Sequence, residues 1–164
     1  MSAPRIRAVR PLNKHRRKRS GKAKIDRAIA LLEQRMFKRS FTLACPQTVR
    51  QYLRLVLAGE DEEVFATVFL DTQLRVIAFE PLFRGTIDCT TIHTRVIIKR
   101  ALKHNAAYAI VAHNHPSGLT TPSESDIVTT LELKTALRLF DIHLLDHLVI
   151  GEGEPFSFVD AEIL

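Results

Sequence analysis

Two histidines one residue apart, His113 and His115, are followed after seven residues by Ser123 and after two more by Asp126. On an extended backbone residues i and i+2 project to the same side, so both imidazoles can reach one ion. Zinc takes imidazole nitrogen and carboxylate oxygen at about 2.0–2.2 Å, and a catalytic site uses three protein ligands plus water. His113, His115 and Asp126 would supply those three, with Pro116, Gly118 and Pro122 shaping a loop that returns the aspartate to the histidines. A thiolate-based structural zinc site is excluded here, because neither Cys45 nor Cys89 is near this loop in sequence. The same residues allow a plainer assignment. Ser123-Glu124-Ser125-Asp126 has the spacing of a capping box, in which Asp126 stabilises a helix start and the histidines are ordinary loop residues. His-x-His alone is a weak motif, and on the residues alone both assignments stand. The letters His113-Asn114-His115 also suggest the nuclease motif of that name. That motif spreads its residues over tens of positions, so the adjacency is coincidental.

The elements around the loop must deliver it. Ala107 to Ala112 is a continuous apolar run, the mark of a strand covered on both faces. A buried strand that ends in a polar loop and passes into a helix is where α/β domains place their sites. After Asp126 a helix is expected to about Phe140, followed by strands over Ile142–Ile150 and Phe156–Val159 around the Gly151-Glu152-Gly153 turn. Upstream, Phe65 to Leu70 reads as a strand, Asp71-Thr72-Gln73 as a turn and Leu74 to Leu82 as a second strand. Strict alternation there puts Val76, Ala78, Glu80 and Leu82 on one face and Ile77, Phe79 and Phe83 on the other. Glu80 is thus a carboxylate among apolar neighbours. Either it lies at a strand end and reaches solvent, or partial desolvation raises its pKa and suits it to shuttle a proton. Gly85-Thr86 bends the chain, and His93 to Asn105 forms a helix whose basic side, Lys99, Arg100 and Lys103, reads as a solvated face. Ile25 to Met36 and a stretch from Pro46 to Gly59 are amphipathic packing helices, separated by a break over 40–45. Interleaved helices and strands give an α/β domain with a mixed sheet.

At 164 residues the chain suits one well-formed domain. Apolar residues make up 46% and charged residues 26%, the profile of a soluble globular protein. The two distant cysteines fit reduced thiols, and no apolar run approaches the ~20 residues of a membrane span. With no signal-peptide pattern at the start, a cytoplasmic location is the expectation. Of the net charge of +6, residues 1–24 carry ten Lys or Arg and no acid, leaving 14 bases against 18 acids in the remainder. The basic character belongs to a tail centred on Arg16-Arg17-Lys18-Arg19. A like-charge block of this kind is expected as a disordered, solvated arm, or as a salt-sensitive, non-specific nucleic-acid contact, and an arm can be both. The divisions expected are a basic arm over 1–24, a helix and linker over 25–44, and the main domain over 45–164.

His113-x-His115, seven residues, Ser123, two residues and Asp126, with Glu80 upstream, resembles the full signature of the JAMM (MPN-type) metalloproteases. The finer pattern is similar to the RadC branch of that group. It comprises Phe83-x-Gly85-Thr86, Arg95, Lys99-Arg100-Ala101-Leu102, Asn105-Ala106-Ala107, Ala112 through Gly118, Pro122-Ser123, Asp126, and Asp146-His147 through Gly151. The match covers roughly residues 45–160. It departs at Thr94 and Val96, where the family usually has Pro and Glu, and ahead of the domain, where a basic arm and one helix stand in place of a helix-hairpin-helix region. The chain resembles in this the short forms of prophages and mobile elements.

The resemblance implies a cytidine-deaminase-like α/β architecture, one zinc ion held by His113, His115 and Asp126, and hydrolysis of a peptide or isopeptide amide in a protein substrate. Glu80 would hydrogen-bond the metal's water, take its proton and pass it to the leaving amine. Ser123 would donate to the oxyanion of the tetrahedral intermediate. His147, following an acid on an apolar strand, is assigned a structural role. The alternative is a DNA-associated accessory module of repair or of a mobile element, with a structural or vestigial metal and the basic arm as its contact; a metal-dependent nuclease is a weaker third. The amphipathic stretch Ile25–Met36 suits pairing with a second copy, and no membrane partner is expected.

Overall fold

Every residue of the strand Val64–Leu70 is buried, because it lies inside a sheet that helices cover on both faces. The computed structural model describes residues 14–36, 46–85 and 92–164. Within them the chain runs α1 (Lys14–Met36), α2 (Pro46–Leu57), β1 (Val64–Leu70), β2 (Val76–Arg84), α3 (Thr94–Lys103), β3 (Tyr108–Asn114), α4 (Glu124–Arg138), β4 (His143–Ile150) and β5 (Phe156–Ser157). The strands form one sheet in the order β2-β1-β3-β4-β5. β3 and β4 are parallel and the other neighbours antiparallel. The expected α/β domain with a mixed sheet is what the chain forms. No described helix is long and apolar enough to cross a membrane.

Two cores follow from the alternation of β1. Ala66 and Val68 face Val49, Leu53 and Leu57 of α2, with Met36 of α1 packed behind. Phe65 and Phe69 face the other way, against Ile97 and Ala101 of α3 and Leu133 and Leu137 of α4. Burying a large apolar side chain is worth about 1.5–3 kcal/mol, so this double-sided burial fixes the strand's register. A one-residue slip would exchange the two faces.

Several boundaries differ from expectation, each for a local reason. β2 begins at Val76 and not at Leu74, because the turn is longer. Asp71 Oδ1 accepts the amides of Gln73 and Arg75, each at 2.9 Å, and Leu74 takes a φ of 58°. The strict alternation expected along β2 fails at two bulges, where its pairing with β1 skips Ile77 and Leu82. An extra residue in one strand reverses the faces beyond it. Val76 therefore joins Phe79 on the α2 side, and Phe83 joins Ala78 and Leu82 on the α3 side. α4 starts at Glu124, ahead of Asp126, and β5 ends at Ser157. α1 begins at Lys14, so the helix expected from Ile25 takes in residues 14–24 of the basic stretch as well. Residues 1–13, the break at 40–45, Cys45, Cys89 and Thr86 of the bend lie outside the described residues.

Asn114 ties the site to the fold. It is buried, and its position between the two histidines turns it to the opposite face of β3. Its Oδ1 accepts the Val64 amide at 2.8 Å and its Nδ2 donates to the Glu62 carbonyl at 2.9 Å, fixing the entry to β1. Asn114→Ala should leave both groups unsatisfied and cost about 1–3 kcal/mol. In urea unfolding the midpoint should fall with no change in slope.

Candidate metal centre

β3 carries His113 into the domain and releases His115 at its end. The parallel ladder continues one residue further, the His115 amide donating to the Ile150 carbonyl at 2.9 Å. His115 therefore stays extended, and its ring falls on the same side as that of His113, with the two Nε2 atoms 3.0 Å apart. The loop that follows turns on Gly118, whose φ is 82°. It is pinned to the β4–β5 turn where the Glu152 amide donates to the Gly118 carbonyl at 2.7 Å. That contact requires glycine at 151, since a Cβ there would stand 2.4 Å from the Gly118 oxygen. The His115 Nδ1–H donates to the Leu119 carbonyl at 2.9 Å. A carbonyl only accepts, so Nδ1 holds the ring's proton and neutral His115 presents a bare Nε2 to the site.

The loop then delivers α4. Ser123 is its N-cap: Ser123 Oγ accepts the Asp126 amide, and Asp126 Oδ2 accepts the Ser123 amide at 2.7 Å, a complete capping box. The capping and metal assignments of the sequence are therefore one arrangement. Asp126 in the first turn lies 3.4 Å from His113 Nε2 through Oδ1 and 3.6 Å from His115 Nε2 through Oδ2. His113, His115 and Asp126 each offer a ligand atom within 4.8 Å of the others. Two imidazole nitrogens and a carboxylate thus stand around one point. That donor set fits a borderline divalent metal ion.

Ser123 and Glu80 each have partners of their own in the structure. The Ser123 hydroxyl donates to Asp126 Oδ2 at 2.7 Å, so it is engaged with a ligand side chain. Glu80, on β2 two strands away from β3, is not within the triad. Arg100 of α3 takes its carboxylate with Nε on Oε2 at 2.5 Å and Nη2 on Oε1, and His104 Nε2 approaches Oε1 at 2.8 Å. The expected upward shift of its pKa is corrected. The Arg100 hydrogen bonds outweigh burial, His104 adds to them, and the value falls to about 2. Arg100 is likewise not a solvated residue beside Lys99 and Lys103, because β2 offers it a half-buried carboxylate. The sequence pattern names neither Arg100 nor His104 as partners, since only the strand order brings α3 over β2.

His147 is more closely involved than a purely structural role implies. It is buried on β4, and its Nε2 lies 2.8 Å from His113 Nδ1. The one available signal was a histidine inside an apolar strand, which needs a polar partner.

The low pKa of Glu80 makes a prediction about acid stability. A carboxylate with a folded pKa near 2, against an ordinary 4.5, stabilises the fold above the ordinary value, and that contribution is lost as pH falls towards 2. Glu80→Gln should destabilise the protein at pH 7, and the difference from wild type should shrink between pH 5 and about 2. Denaturant titrations at fixed pH values read this directly.

The domain has close relatives. The RadC-like JAB domain matches residues 43–163. A UPF0758 protein of Pseudomonas syringae pv. tomato is 53% identical over 127 residues, 77% of this chain and 57% of the relative. One of Nitrosococcus oceani is 51% identical over the same shares, and one of Azotobacter vinelandii 45% identical over 85% of this chain and 65% of the relative. The chain thus spans less than two thirds of the length of these curated relatives. The match over residues 43–163, together with the His113-x-His115 and Asp126 cluster, places the chain in the RadC family, as a RadC-like JAB domain.

Proposed function

We propose that the chain is a zinc-dependent hydrolase of the JAMM type, acting on a peptide or isopeptide amide. The observation that carries the proposal is the convergence of His113 Nε2, His115 Nε2 and the Asp126 carboxylate on one point. Zinc bound there would lower the pKa of a coordinated water to about 7 and polarise a scissile carbonyl.

The chain's own residues then divide the remaining work. A groove of about 380 Å³ lies beside His115, lined by Arg54, Glu60, Asn114, Gly151 and Glu152 among others, and neither His113 nor Asp126 is among its lining residues. Glu80 is the assigned proton acceptor, and both of its oxygens are taken by Arg100 and His104. A carboxylate with a pKa near 2 is a weak base at neutral pH. On this proposal substrate entry opens the Arg100 contact and returns Glu80 towards the ordinary carboxylate range. Ser123 would have to turn its hydroxyl from Asp126 to the developing oxyanion. Untagged protein should retain about one equivalent of zinc, as the three-ligand site of this proposal requires; substoichiometric zinc would sink the metal assignment. Glu80→Gln should retain the metal and lower cleavage of a peptide and isopeptide panel by about 10²–10⁴-fold. Equal slow cleavage by both proteins would remove Glu80 from the mechanism.

A second function is favoured by α1. Its helix carries the basic run from Lys14 to Lys24, and residues 21–27 are exposed along it. A basic helix of this kind suits phosphate contacts without base preference, and an accessory role at DNA would use it. Removing residues 1–22 should abolish DNA retention at low salt while leaving zinc content unchanged. Full retention by the truncated chain would exclude the contact.

A further inference from the structure

Behind the metal cluster a chain of short hydrogen bonds crosses three elements. His113 Nδ1 on β3 lies 2.8 Å from His147 Nε2 on β4. His147 Nδ1 lies 2.6 Å from Thr130 Oγ1 on α4, and Thr130 Oγ1 lies 2.5 Å from the carbonyl of Asp126, one turn earlier on the same helix. His147 and Thr130 are both buried.

The direction of each bond follows from valence. The Asp126 carbonyl only accepts, so the single Thr130 hydroxyl proton is directed to it. Thr130 Oγ1 must then accept from His147, which places a proton on His147 Nδ1. The ring of His147 stacks on Phe158 at 4.7 Å and meets Phe65 edge-on at 5.6 Å. An apolar cage of this kind disfavours a second proton. His147 Nε2 is therefore bare and accepts from His113 Nδ1–H. With its proton on Nδ1, neutral His113 presents a bare Nε2 to His115 and Asp126.

We infer that His147 and Thr130 form a positioning relay that fixes His113 in its metal-ligating tautomer and registers β3 against the first turn of α4. The inference rests on the metal assignment of the site. Neither residue touches the cluster's centre. His147 acts through His113, and Thr130 acts through His147 and through the Asp126 carbonyl. The relay also explains how a change on α4 reaches a ring on β3. Without the Thr130 hydroxyl, the His147 Nδ1–H loses its acceptor. The ring is then better served with its proton on Nε2, donating to His113 Nδ1. That moves the His113 proton to Nε2, where it blocks the ligand atom.

Thr130→Val, Thr130→Ser, His147→Phe and His147→Gln separate this role from simple packing. Zinc affinity is read by competition with a chromophoric chelator, and folding by circular dichroism and thermal melting of the metal-free proteins. Thr130→Val and His147→Phe should weaken zinc binding by about 10–100-fold, the usual effect of losing a partner that orients a metal-ligating histidine. Thr130→Ser keeps the hydroxyl and should bind as wild type. His147→Gln keeps a carbonyl acceptor and should lose less than His147→Phe. The imidazole tautomers are read by long-range ¹H–¹⁵N correlation on metal-free protein at pH 8. His113 should carry its proton on Nδ1 in wild type and on Nε2 in Thr130→Val. If Thr130→Val binds zinc within twofold of wild type and only melts earlier, the relay is a packing feature and the inference is overturned. If wild type itself binds no zinc, the metal proposal fails. The tautomer spectra still decide the relay, since a proton on Nε2 of wild-type His113 overturns it.

Discussion

Three side chains able to ligate one ion converge on a single point, and the domain is built to hold them there. His113 Nε2 and His115 Nε2 stand 3.0 Å apart beside the Asp126 carboxylate. A fold sustains such an arrangement only where rigid elements leave the side chains no alternative. The parallel pairing of β3 and β4 sets the two histidines. The loop clamped at Gly118 and Gly151 sets the return of the chain, and the capping box sets Asp126. Each of these devices also satisfies backbone groups that would otherwise be orphaned. The site is thus assembled largely by the hydrogen bonds that complete the secondary structure.

Much of this was legible in the chain. The apolar run before His113 announced a strand buried on both sides, and the i, i+2 spacing put both rings on one face. Ser123 and Asp126 carried the spacing of a cap, which the structure uses as such. Local signals failed where non-local pairing decided. Alternation along β2 assumed an unbroken ladder, and two bulges reversed the side on which Val76 and Phe83 lie. The basic side of α3 looked solvated because nothing in its own sequence shows that β2 brings Glu80 beneath Arg100. Thr130 carried no signal at all, being one polar residue in a helix whose hydroxyl could have turned back to its own backbone. It does so, and its remaining lone pair is what His147 uses.

Glu80 is where the electrostatics are least settled into a single role. Its carboxylate is ionised at any physiological pH, but Arg100 and His104 make that charge structural. Removing one partner of a pair like this leaves the other charge without its counterpart, which costs stability. Here the pair clamps α3 to the β2 edge of the sheet, directly across the face that carries His113.

The capping box has a further consequence, for ion discrimination. Asp126 Oδ2 already accepts from both the amide and the hydroxyl of Ser123. It has little capacity left for a second metal bond, so the carboxylate is restricted to donating through one oxygen. Calcium is satisfied by about six to eight oxygens, often from carboxylates that grip with both. Two imidazoles and one single-handed carboxylate, held by a helix that would fray if Asp126 rotated, offer it a poor exchange for its hydration shell. Selectivity towards small, nitrogen-loving cations would then be a by-product of how α4 begins.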